Sequence, residues 1–74
     1  MSKSLPNHYL AEIQAAMTRN EAQKDNIKWA SKVVGAHVFG YNPSRTWYPL
    51  ESLNLALKVL RDNGVEVREV VSLR

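Results

Sequence analysis

The residues best suited to chemistry lie in one segment, Asn42-Pro43-Ser44-Arg45-Thr46-Trp47-Tyr48-Pro49. It joins an arginine, two large aromatics and two hydroxyl side chains directly ahead of an expected helix start. Helix N-termini present free amides and a partial positive charge, which suits an anion. Trp, Tyr and Arg are also the residues that dominate protein interfaces. The competing reading is structural, with Trp47 folded back to plug a small core and Tyr48 packed on the following helix. No glycine-rich phosphate loop precedes that helix, so nucleotide hydrolysis of the P-loop type is excluded.

Two further groups deserve the same double reading. Lys24, Lys28 and Lys32 recur at steps of four, which lines them along one helix face where they could track phosphates. Read plainly, they are a solvated face with Glu21 and Asp25 as intrahelical partners. His37, Phe39 and Tyr41 alternate, and on a strand they would put three rings on one face as a stacking platform for bases. The glycine- and aromatic-rich consensus strands of RNA-recognition modules are absent, however. A large apolar side chain such as Phe39 normally points inward, and His37 is then a core-edge histidine with one hydrogen bond.

Catalytic constellations are missing. A nucleophile–base pair from His8 or His37 with Ser44 or Thr46 is the thinnest of possibilities, and a cluster of His37, Tyr41 and Arg45 has no spacing to recommend it. There is no cysteine, and the two histidines lie too far apart for a local ligand motif. The expectation is a protein that is not an enzyme and carries no metal and no cofactor.

These residues need elements to position them. Pro6 marks the start of a first helix with an apolar stripe of Tyr9, Leu10, Ile13, Ala16 and Met17. Thr18-Arg19-Asn20-Glu21 matches a Ser/Thr-x-x-Glu capping box, which predicts a second helix after a short break. That helix is expected to run to about Val34, with Ile27, Ala30 and Val34 inward and Gly35 as its stop. A strand over 26–34 is the alternative, because Ile27, Trp29 and Val33 alternate too. Ala36 to Tyr41 reads as a short strand ended by Asn42-Pro43.

The last helix has the clearest signature. Pro49 suits a first helical position, Glu51 falls in the first turn, and Asn63-Gly64 is a left-handed stop. Its polar residues Glu51, Asn54, Lys58, Arg61 and Asp62 gather within about 100° of arc. The apolar remainder predicts cover from two sides. Val65 to Leu73 then alternates as a half-buried strand. The expected fold is therefore α+β: an N-terminal helix or helices, then strand, helix and strand, with a two- to three-stranded sheet packed on helices.

The chain has 74 residues, which limits it to one domain over 1–74, with 1–5 expected to be disordered. Such a chain buries only about 60% of its unfolded surface, so a homodimer is one expected reinforcement. The start shows no signal-peptide pattern, and no run approaches the roughly 20 apolar residues that span a bilayer. A cytoplasmic protein with no membrane contact is expected. Net charge is only +3, but from Asn26 to Leu50 the chain has Lys28, Lys32 and Arg45 with no acid, and five of its six aromatics.

That window points to a non-enzymatic binding module whose partner is nucleic acid, with Lys24, Lys28, Lys32, Arg45, Trp47 and Tyr48 as contact residues. The alternative is a protein partner, in the manner of an inhibitor or adaptor of a larger enzyme. In size and aromatic content the chain resembles short accessory proteins of phages and mobile elements, a likeness of composition and not of motif.

Overall fold

Tyr9, Ile13 and Ala16 recur at steps of four and three, and they are the buried face of the first helix, α1 (Asn7–Arg19). The structure is a computed structural model that describes residues 5–67. Pro6 sits just outside α1 in an extended conformation, and its carbonyl accepts the first helical bond from the Leu10 amide at 3.0 Å. A short 3-10 turn, Glu21–Gln23, leads into α2 (Lys24–Val38), and a loop over 39–49 leads into α3 (Leu50–Asp62).

The break between α1 and α2 falls where the sequence places it, but without the capping box. The Thr18 hydroxyl donates instead to the Gln14 carbonyl one turn back, 3.0 Å away, and so stays inside α1. Asn20 turns the chain, and its carbonyl accepts the Gln23 amide.

Among the described residues there is no strand, and the expected α+β fold is corrected to an all-helical one. Residues 26–34 are helical, and α2 continues through Gly35 to Val38. The would-be strand Ala36 to Tyr41 is therefore the last turn of a helix followed by loop. A helix satisfies its own backbone hydrogen bonds, whereas a strand here would have no ladder to join. The left-handed residue that turns the chain is Gly40 (φ 69°), and the Tyr41 amide donates to the Gly35 carbonyl at 2.8 Å. Val65 to Val67 are not a strand, and the remainder of that expected element, 68–74, lies outside the described residues.

Helix α2 packs on both of the others, most extensively on α3. Its buried face holds Ile27, Ala30 and Val34, as the helical reading expects, with Val33 and Gly35 added. Ala16, Ala30 and Ala56, one from each helix, have no solvent exposure. Small side chains at such points let helix axes approach closely. Leu53, Leu60 and Val65 complete the core.

Tyr9 pins α1 to α2. Its ring lies 5.0 Å from that of Phe39 at a tilt of 53°. Its hydroxyl donates to the Ser31 carbonyl at 3.2 Å. Burial pushes the hydroxyl's pKa above the usual tyrosine value, against a smaller opposing effect from Ser31. The folded protein thus holds this proton more tightly than the unfolded chain, so its contribution is intact below about pH 10 and is lost as pH rises further.

The end of α3 is closed by two bonds of the Schellman type. The Val65 amide donates to the Leu60 carbonyl at 2.8 Å and the Gly64 amide to the Arg61 carbonyl at 3.0 Å, with Gly64 at φ 86°. Val65 and Leu60 are both buried beside this turn. From the end of α1, the Arg19 guanidinium donates to the Asn63 carbonyl at 2.9 Å. A Cβ on residue 64 would come within 2.6 Å of that guanidinium. Gly64→Ala should therefore lower stability by about 1–2 kcal/mol, combining left-handed strain with displacement of Arg19. Urea unfolding measures this, and an unchanged midpoint would show that the turn relaxes freely.

Candidate functional site

The loop over 39–49 is held by its own polar groups. The Asn42 side-chain amide donates to the Thr46 carbonyl at 2.8 Å, while its oxygen accepts the Thr46 amide at 3.3 Å. Between them Pro43 and Ser44 form a turn, closed by the Arg45 amide donating to the Asn42 carbonyl at 3.1 Å. The Ser44 and Thr46 hydroxyls meet at 3.0 Å. At the far end, the His37 Nε2–H of α2 donates to the Tyr48 carbonyl at 2.7 Å. His37 is thus a half-buried anchor for the loop.

The expected row of His37, Phe39 and Tyr41 on one strand face does not exist. His37 lies in the last turn of α2, Phe39 turns inward against Tyr9, and Tyr41 remains 38% exposed. A helix end followed by a left-handed glycine sends the three side chains in different directions.

Tyr41 and the turn after it face α2 across a groove of about 470 Å³. Leu5 forms one wall; Ser31, Lys32 and Gly35 come from α2, and Tyr41 to Ser44 with Tyr48 supply the rest. Among the described residues, no acidic one lines it. A second groove of about 450 Å³ runs beside α3, with Lys58 and Arg61 but also Glu66, and without an aromatic residue.

Of the six residues named from sequence, the structure brings Lys32 and Tyr48 together in the first groove. Lys24 and Lys28 are exposed along α2 and share one side of it with Lys32, Ser31 and Gly35, within about 100° of arc. The row of lysines therefore runs toward the groove. Arg45 and Trp47 stand on the loop outside the lining, and Trp47 is 81% exposed. Trp47 does not plug the core, whereas Tyr48 packs against its edge.

Leu50 and Leu55 on α3 are exposed as well, so the wide apolar arc of that helix is covered on its buried side alone. Of the groove residues, Asn42 and Ser44 lie in the segment that the sequence marks for chemistry, whereas Leu5 and Gly35 are not marked for it. Asn42-Pro43 carried a turn signature, but nothing local marks a glycine or a leucine as part of a groove.

Among the described residues, no group of His, Asp or Glu side chains is placed to hold a metal ion. No helix among them is long and apolar enough to cross a membrane. The chain matches no protein-family model, no curated protein and no solved structure.

Arg45 adopts a left-handed backbone (φ 53°) with its side chain exposed. For a residue other than glycine this conformation costs about 1 kcal/mol. Arg45→Gly should therefore leave stability unchanged or raise it by up to about 1 kcal/mol, after the added chain entropy is set against the relieved strain. A clear fall in the urea midpoint would show that the guanidinium holds the loop.

Proposed function

We propose that this chain is a non-enzymatic binding module that holds single-stranded nucleic acid along α2 and the loop over 39–49. The observation that supports this most directly is the row of exposed lysines on α2 leading to a groove with tyrosines, and no carboxylate, among its described lining residues. Lys24, Lys28 and Lys32 follow one another at about 6 Å, four residues at the helical rise, and take phosphates. Tyr41 offers partly exposed ring surface on which a base stacks. A duplex would hide its base faces, so the single strand is the better match.

Three phosphate contacts predict a slope of about −2 in log affinity against log salt for a short oligonucleotide. Affinity should then fall about 20-fold between roughly 50 and 200 mM salt. Calorimetry at several salt concentrations measures the slope, and replacing all three lysines by glutamine should flatten it. Salt-independent binding, or none at low salt, would sink the proposal.

A protein partner is the second reading, supported by the exposure of Trp47 at 81% and of Leu50 at 61% just beyond it. With Arg45 close in sequence, this segment has the composition of an interface hot spot. In that case Trp47→Ala should abolish capture of the partner while leaving thermal stability within about 0.5 kcal/mol, as for other exposed positions. Unfolding of the variant would instead assign Trp47 a structural role and remove this reading.

A further inference from the structure

We propose that the groove between α2 and the Asn42 turn is a pocket for a single nucleotide, its ring against the tyrosines and its phosphate on Lys32. This deepens the strand-binding reading by naming the unit bound, but it needs neither Lys24 nor Lys28.

The size and walls of the groove carry the first part. About 470 Å³ lies within the range of small-ligand sites. Leu5, Tyr41, Pro43 and Tyr48 offer apolar and ring surface, contributed by the segment before α1 and by the loop. The α2 side includes a glycine. A Cβ on residue 35 would lie 3.2 Å from Leu5 Cδ2 and 3.4 Å from the Tyr41 carbonyl oxygen, so bare backbone here lets these two walls of the groove close onto α2, and a methyl group would push them out of place. The Tyr41 amide, bonded to the Gly35 carbonyl, fixes the loop over this point.

Charge carries the second part. Among the described residues, Lys32 is the sole cation in the lining and no carboxylate opposes it, so the ligand that complements the groove is an anion with a flat ring.

The polar groups decide how selective the pocket is. Both ends of the Asn42 amide are engaged with Thr46, and the Ser44 hydroxyl lies between Asn42 and Thr46. Ser31 already accepts from the Tyr9 hydroxyl. The Ser31 hydroxyl proton and the second Asn42 amide proton are left to meet the edge of a base, and purines and pyrimidines both carry acceptors for them. The pocket therefore holds its ligand by stacking and charge, and it accepts purine and pyrimidine alike.

The test is amide chemical-shift titration of the full chain with AMP and UMP, using adenosine and inorganic phosphate as half-ligands. AMP and UMP should saturably shift Gly35, Tyr41, Asn42, Ser44 and Tyr48 with affinities within about threefold of each other, as stacking without edge discrimination requires. Adenosine and phosphate alone should each bind about tenfold more weakly or worse, having lost one of the two contacts. Lys32→Gln should weaken AMP by about tenfold. Gly35→Ala should keep its helix, since alanine is the better helix former, and lose the shifts. If that variant does not fold, Lys32→Gln at its exposed position carries the test.

Adenosine binding as tightly as AMP, or full AMP affinity in either folded variant, would overturn the pocket. Failure of every mononucleotide, with salt-dependent oligonucleotide binding intact, would overturn it and leave the strand reading standing. AMP binding without oligonucleotide binding would do the reverse.

Discussion

Helix α2 must be covered by α1 and α3 together, because neither neighbour alone spans its apolar face of Ile27, Ala30, Val33 and Val34. The chain has no disulfide with which to limit its unfolded state, so that burial has to supply the stability. Alanines within the core keep the helices close, and larger residues such as Ile27, Leu53 and Leu60 fill the space around them. Tyr9 then sets how α1 lies, since its hydroxyl is satisfied by Ser31 and its ring rests near Phe39. Moving α1 would leave a buried hydroxyl without its partner, a cost of about 1–3 kcal/mol.

The same packing determines what the loop can present. Phe39 is drawn inward by Tyr9, and the left-handed Gly40 turns the chain back across the end of α2. Asn42 and His37 then hold the middle and the end of the loop. Polar groups that composition alone would offer to a ligand are consumed in building the scaffold. Among the described residues, ring surface and Lys32 remain at the groove, with the side chains of Arg45 and Trp47 outward on the loop.

Parts of this were legible in the residues. Helices α1 and α3 announce themselves through apolar stripes of helical period, a proline ahead of each, and Gly64 after the second. Helix α2 was harder at its end, because a glycine after an apolar run is the usual sign of a stop. Gly35 is there for another reason: Leu5 and the Tyr41 carbonyl crowd the place a Cβ would take. Six residues from Ala36 to Tyr41 are too few for periodicity to separate a strand from a helix end. Contacts from Tyr9 and Tyr48 settle it, and these are remote in sequence. The cations of the site were equally visible, since charge is a property of each residue. The groove was not, because Leu5, Gly35 and Tyr41 meet only when three segments are folded together.

The two tryptophans differ in a way with practical use. Trp29 lies half-buried against the core, while Trp47 stands almost wholly in water. An indole loses blue-shifted emission when it passes from an apolar to an aqueous setting, so unfolding should change the light from Trp29 and barely alter that from Trp47. Contact with another molecule over the loop would do the opposite. The intrinsic spectrum of this small chain thus contains two nearly independent channels, one for its own integrity and one for its surroundings.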